Sequence, residues 1–490
     1  MKEIDEIESL QDDAPKFSDD LLKMGRYSIL VCIFVEIAML SQLSNTMYMV
    51  YAACDSCHPN NMVFERQFYG IIDEFNLHCE GVRFEKLGTS IQMIGLMAGC
   101  LVFGQLSDVY GRKMLLLVCL AMCTIFGVAT AFSPNFLVFT GLRTILSFFN
   151  GGQSTISVVY LIENIPKRSR MYISTLISFS PNVILLGCLA YFFQTWSSLS
   201  IVISILIIPA ILILFFLHES PRYLMQKGRI DEATTIFLKI ERFDKTPMGI
   251  NEDELVRLLE HEHLEFGQNA RKNHNFWHLL TNRRIAIGTG VIAFCFFSTT
   301  LINYANMFNL GAISGSIYLN AILIGLLRYS VSISCGFFDF KYEWFNRKFA
   351  HSLCSCLSIL AIFVILILRM TETDSIFAVV MRFCVLISCS MTSQAIIVAS
   401  VTSNELMPTA VRSQSYAIAQ LSSRFGIVFA PHVFYLDVYF GRELHSLPYF
   451  VLLFMAIADF ANFRFLIPET KNKPLEDHIA SSKSIELQNR

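Results

Sequence analysis

Apolar residues gather in twelve windows along the chain, at 29–50, 91–106, 114–132, 136–161, 172–193, 196–217, 285–304, 317–334, 350–368, 376–400, 414–436 and 447–467. Each is close to the length that crosses a hydrocarbon layer of about 30 Å as a helix. Charged and turn-forming residues stand between them. The pattern predicts an all-α membrane protein of twelve transmembrane helices. They fall into an amino-terminal bundle (27–217, with a loop at about 51–88) and a carboxy-terminal bundle (285–467), joined by a polar segment at 218–284. Residues 1–26 hold eight acids and no apolar leader region, and read as a solvated tail; 468–490 read as a second tail.

Composition agrees with a bilayer as solvent. Hydrophobic residues make up 54% of the 490 and charged residues 16%, against about 45–50% and about 25% in soluble domains. The net charge of −2 offers no basic field, so nucleic acid is not an expected partner. Lys and Arg set the orientation. With the first tail inside, the inner loops carry Arg112, Lys113, Lys167, Arg168, Arg170, Lys341, Arg347, Lys348 and Arg412, and the outer loops carry Arg66, Arg83, Lys86, Arg369 and Arg442. Both tails are expected in the cytoplasm, and the plasma membrane is the expected location.

The two halves repeat each other. Glu163-Asn-Ile-Pro166-Lys-Arg-Ser-Arg170 after the fourth span matches Glu405-Leu-Met-Pro408-Thr-Ala-Val-Arg412 after the tenth. Asp108-Val-Tyr-Gly111-Arg112-Lys113 corresponds to Asp339 and Asn346-Arg347-Lys348, and Glu219-Ser-Pro-Arg222 to Glu469-Thr-Lys471. Glu163 and Glu405 stand 242 residues apart, Arg112 and Arg347 235, Glu219 and Glu469 250. Pairs in one order at similar offsets predict two six-helix bundles related by a pseudo-two-fold axis.

These motifs carry a resemblance. Gly104-Gln-Leu-Ser-Asp108-Val-Tyr-Gly111-Arg112-Lys113 resembles the loop signature of the major facilitator superfamily. Glu219-Ser-Pro-Arg-Tyr-Leu224, Glu405 to Arg412 and Pro468-Glu-Thr-Lys-Asn-Lys-Pro-Leu475 resemble the organic cation, organic anion and carnitine transporter family of solute carriers. The resemblance implies the major facilitator fold and movement of a small organic solute by alternating access. It also implies a cytoplasmic gate at Asp108, Arg112, Glu163, Arg170, Glu219, Arg222, Asp339, Arg347, Glu405, Arg412 and Glu469. One exposed ion pair is worth only about 0–1 kcal/mol, so a latch across the two bundles is expected to use several. Capping of helix ends is the plainer role for the same charges.

Ionisable groups inside the spans bear on the solute, because they normally face a cavity or a partner. They are Glu36, Arg143, Arg328, Arg382, Arg424, Asp437 and Asp459. Arg143 and Arg382 read as structural residues near the inner half of their spans, and Asp437 and Asp459 as boundary residues. Arg424 fits a position where, by the resemblance, anion and carnitine carriers have Arg and cation carriers an acid. A guanidinium there favours a carboxylate solute, or pairs with Glu36. Arg328 replaces an acid usual in the family's eighth span. Arg424, Arg328, Glu36, Gln153 and Tyr304 are the expected substrate pathway, so an organic anion or zwitterion is favoured over a cation. Asn45 and Asn182 are polar groups that must find partners, most simply across helix contacts. Phe148-Phe149, Phe296-Phe297 and Phe337-Phe338 read as lipid-facing filler. Gly95 and Gly99 allow close packing of the second span.

Of fourteen cysteines, Cys54, Cys57 and Cys79 lie in the loop at 51–88, where one disulfide is plausible; the other eleven read as small apolar residues. No Gly-x4-Gly-Lys-Ser/Thr loop is present, so neither a nucleotide nor a cofactor is expected. No enzymatic constellation appears. A transporter-derived sensor, binding a solute without moving it, is the alternative.

Overall fold

The computed structural model describes residues 21, 23–53, 68–77, 82–166, 173, 179–245, 250–271, 283–373, 376–407, 409–436 and 446–471 of the chain. Ten helices among them are long and apolar enough to cross a membrane. They include the first span (Arg26–Ala52), the second (Val82–Tyr110), the third (Arg112–Ala131) and the fourth (Phe136–Glu163). The seventh to tenth are Arg283–Phe308, Ile317–Lys341, Arg347–Met370 and Ala378–Leu406, and the twelfth is Leu447–Leu466. The sixth, at Trp196–Phe216, has a break at Leu206 and Ile207, just before Pro209, which has no N–H to continue the ladder. Two further helices complete the twelve positions: the fifth is described over Phe179–Phe192, and the eleventh spans Thr409–Val433. The eleventh is too polar to pass as a lipid-facing helix, because Gln414, Ser415, Gln420, Ser422, Ser423 and Arg424 lie along it.

Small residues set the closest approaches. A Cβ on Gly99 would lie 1.8 Å from the Phe148 carbonyl oxygen, and one on Gly151 2.1 Å from the Leu96 oxygen. The second and fourth spans therefore touch backbone to backbone. Phe148 and Phe149 are not lipid filler: their rings pack on Phe103 at 5.2 and 5.5 Å inside this half. Phe296 is likewise buried, whereas Phe337 and Phe338 are exposed.

The two halves meet at the ends opposite the charged turns. Tyr51 of the first span stacks on Tyr318 of the eighth at 6.2 Å, and Tyr191 of the fifth meets the same ring at 5.6 Å. Ser90 of the second span donates to the Val428 carbonyl of the eleventh at 2.9 Å. A Cβ on Gly325 of the eighth span would lie 2.5 Å from Ile184 of the fifth. One apolar cluster runs through both halves there, from Met47 and Tyr48 to Ile317 and Val433.

Between the halves, Pro221–Gln226, Ile230–Asp244 and Glu252–Arg271 form amphipathic helices. Their apolar faces close on one another through Tyr223, Phe237, Leu255 and Leu259. Asp244 reaches back to the first span, where its Oδ1 accepts from the Tyr27 N–H at 2.7 Å. That carboxylate supplies the cap that Gly25 cannot.

Candidate functional site

The charged turns build the same figure twice. In the first half, the Arg112 Nη2 lies 3.0 Å from Asp108 and 3.2 Å from Glu163. Arg112 is buried, and its guanidinium sits 4.5 Å over the Tyr223 ring. In the second half, Arg347 lies 2.8 Å from Asp339 and 2.9 Å from Glu405. Both Arg347 Nε and Nη2 donate to that second carboxylate.

Glu219 and Glu469 have a different task from the other acids. Glu219 Oε1 accepts from the backbone N–H of Arg112 at 3.0 Å, and both its oxygens accept from Lys113 N–H. Glu469 accepts from the N–H groups of Arg347 and Lys348 at 3.0 Å each. Each acid thus caps, from a distant turn, the exposed amides at the start of the third or ninth span. Gly111, just before the first of these amides, has φ +101° and leaves no room for a side chain beside Glu219.

In this arrangement the ion pairs of the expected gate run within each half. The ion pairs around Arg112 join elements of the first half, and those around Arg347 join elements of the second. The physical reason is reach: the halves touch at the opposite end, so each arginine finds its acids on its own bundle. Arg412 donates through Nε to the Met407 carbonyl at 3.2 Å, Arg222 lies on the short helix Pro221–Gln226, and Arg170 lies outside the described residues. Lys471 joins the second figure, with Nζ 3.1 Å from Asp339 and donating to the carbonyls of Asp339, Tyr342 and Phe345.

Deeper in the spans, two of the five pathway residues lie within electrostatic range of a third, Tyr304. Arg328 and Arg424 are both electrostatic neighbours of the Tyr304 hydroxyl. Arg328 donates to Asn303 Oδ1 at 3.0 Å, and its Nε is buried without a partner. Among the described residues neither arginine has an ion pair. Glu36 and Gln153 belong to the other half. Glu36 lies beside the Asn182 side chain, with its Oε2 buried and unpartnered. Gln153 Nε2 donates to the Ala38 carbonyl, tying the fourth span to the first, and its Oε1 is left over. Two unpaired cations thus belong to one half and one unpaired acid to the other.

Three expectations are corrected. Arg143 is the eighth residue of its helix and Arg382 the fifth, so both sit toward the end away from the charged turns. There Arg143 donates to the Asn45 carbonyl at 2.7 Å and lies 4.2 Å over the Tyr48 ring. Asp459 is no boundary residue: it is 2% exposed inside the twelfth span. Cys295 is not merely a small apolar filler, since its thiol meets His351. Asp437, Cys54, Cys57 and Cys79 lie outside the described residues. Nothing in the sequence singles out Asn303 or Asp244, and Tyr223 is marked only by the Glu219–Leu224 motif it stands in. An apolar cleft of about 390 Å³ between the eighth and ninth spans, at Phe338, Trp344 and Phe349, holds none of these charged groups.

Residues 76–479 match the family described as sugar (and other) transporter. The organic cation transporter-like protein of Drosophila melanogaster is 25% identical over 449 residues, covering 86% of this chain and 75% of its own. Human solute carrier family 22 member 13 is 28% identical over 419 residues, covering 84% and 71%. Among solved structures, the inward open conformation of the xylose transporter XylE from E. coli superposes with a TM-score of 0.70 at 18% identity, over 92% of this chain and 99% of that one.

Proposed function

Since the chain belongs to the sugar (and other) transporter family, and is a multi-pass membrane transporter of the major facilitator type, we propose that its solute is a small organic anion or zwitterion. The observation that carries this is that Arg328 and Arg424 both act electrostatically on Tyr304, with no ion pair to a carboxylate for either among the described residues. A cation at membrane depth costs about 2.5–3.5 kcal/mol on insertion scales. A solute carboxylate relieves that cost through paired, charge-assisted hydrogen bonds. Glu36, in the opposite half, suits the ammonium end of a zwitterion. Such a solute touches both halves at once, and only differential contact of this kind can shift an equilibrium between two arrangements.

The charged turns fit a supporting role. Each arginine figure ties the ends of several helices within one half, so that each half moves as a body. The turns then face the cytoplasm, with the tightly packed Tyr51–Tyr318 end outside, and the plasma membrane is the natural location.

Proteoliposomes loaded with purified protein test the reading. A labelled aromatic carboxylate is expected to accumulate, and a quaternary ammonium is not. Arg424→Ala should lower carboxylate uptake at least tenfold while Arg424→Lys keeps part of it. Preferential uptake of the ammonium compound, or full carboxylate uptake by Arg424→Ala, would overturn the proposal.

A further inference from the structure

Three spans of the second half bring Cys295, His351 and Asp459 to one buried point, and the transport reading uses none of them. The thiol comes from the seventh span, the imidazole from the ninth and the carboxylate from the twelfth. Cys295 and His351 are fully buried and Asp459 is 2% exposed. Their donor atoms all lie within 4.8 Å of one another. The His351 Nε2 is the shared vertex, 3.3 Å from the Cys295 sulfur and 3.4 Å from Asp459 Oδ2. We infer that this trio is a binding site for one zinc-class divalent cation, held by Cys295 Sγ, His351 Nε2 and Asp459 Oδ2.

Hydrogen bonding leaves three polar groups competing for one vertex. A neutral imidazole nitrogen carries either a proton or a lone pair. If Nε2 bears the proton it donates to the carboxylate, and the Cys295 thiol has to share that same carboxylate. If it bears the lone pair, the thiol and a protonated Asp459 compete for that one acceptor. Among the described residues Asp459 has only Cys295 and the hydroxyls of Ser298 and Ser355 as further neighbours, and its Oδ1 lacks a well-formed hydrogen bond to any of them. Unsatisfied polar atoms of this kind are costly in a low-dielectric interior.

A metal ion lets all three groups act as ligands without sharing a proton. Zinc bonds of about 2.3 Å to sulfur and about 2.0–2.1 Å to nitrogen or oxygen give tetrahedral edges of about 3.6 and about 3.3 Å. The observed 3.3 and 3.4 Å lie close to these. Charge balances as well. A thiolate, a carboxylate and a neutral imidazole cancel a divalent cation, so the loaded site carries no net charge into the membrane interior. The thiol proton, and any proton on the carboxyl, leave as the ion enters. Sulfur and imidazole select a borderline-soft ion such as zinc over magnesium or calcium.

The surroundings orient the ligands. The Ser355 hydroxyl lies 3.4 Å from His351 Nδ1, which places a partner on the nitrogen away from the metal. The imidazole stacks on Phe463 at 3.7 Å between ring centres, with 13° between planes. The pseudo-symmetric fold does not require the polar group. Four residues beyond Arg112, matching His351 beyond Arg347, stands Leu116; ten before Glu219, matching Asp459 before Glu469, stands Pro209. The first half fills the histidine-equivalent position with a leucine that is fully buried.

The full chain, purified in detergent and stripped with a chelator, is titrated with zinc alone and then with cobalt alone. About one equivalent of zinc should remain after desalting, with a rise in the thermal midpoint that magnesium does not give. Cobalt should produce tetrahedral visible bands together with a thiolate-to-metal charge-transfer band. Cys295→Ser should abolish the charge-transfer band, and Asp459→Asn should lower zinc affinity at least tenfold. Cys335→Ser, outside the trio, should change neither. Should the trio variants fail to fold, the wild-type cobalt spectrum still decides: absence of the thiolate band overturns the site. Equal zinc retention by Cys295→Ser, Asp459→Asn and wild type would show an adventitious ion only, and would overturn it too.

Discussion

Removing one member of a buried ion pair costs more than removing both, and Arg112 with Glu163 is the place to see this. Their side chains are 6% and 10% exposed, so neither survivor is rescued by water. Truncating one partner of such a pair costs about 3–5 kcal/mol, whereas neutralising both is often tolerated. Arg112→Met is therefore expected to lower the thermal midpoint of the purified chain sharply, because Glu163 is left buried and uncompensated. The double variant Arg112→Met/Glu163→Gln should recover a large part of the loss. A double variant as unstable as the sum of its singles would mean that the two side chains do not act as a pair. Asp108, which also reaches Arg112, is 72% exposed, and Asp108→Asn should change stability little.

At the scale of helices, the decisive quantity is how near two backbones come. Gly99 has the Phe148 carbonyl where its first side-chain carbon would be, while Gly141 on the fourth span has nothing within 4 Å of that position. Gly99→Val should force the second and fourth spans apart and strongly reduce the yield of folded protein on size-exclusion chromatography. Gly141→Ala should leave that yield unchanged. If both variants behave alike, the close approach does not hold this half together. Much of this scale could be read from the chain, because apolar length and small residues act locally. The 447–467 window and the Leu447–Leu466 helix coincide almost to the residue, and Gly99 stood out as a contact residue. The eleventh span was legible as a window, but the reason for its polarity was not, since nothing local says that Arg424 comes within electrostatic range of Tyr304. Asp459 failed differently. Its depth depends on Cys295 and His351, which approach it from helices far away in sequence. Which acid each gate arginine meets in this arrangement is equally illegible in the chain. Glu163 and Glu405 carry the same charge in the same motif, and only packing decides that Arg112 meets the first and Arg347 the second.

For the whole molecule, what matters is where the halves touch and where they do not. The second span meets the eleventh at Ser90 and Val428, and the fifth meets the eighth at Ile184 and Gly325. Under the repeat these two seams are equivalent, second with eighth and fifth with eleventh, so the halves pack as a near-symmetric pair. Both seams, with the Tyr51–Tyr318 stack, lie toward the end opposite the arginine figures. A carrier that works by rocking must break the Tyr51–Tyr318 contact once in each cycle, since the solute has to enter between those ends. Tying them shut should then stop turnover without disturbing the fold. With cysteines at positions 51 and 318, a short bis-methanethiosulfonate linker should cut carboxylate uptake at least tenfold. Dithiothreitol should restore it, and the linker should leave the single-cysteine controls and the wild type unaffected. Undiminished uptake by protein that is almost wholly cross-linked would show that these ends never part, and rocking about this contact would have to be abandoned.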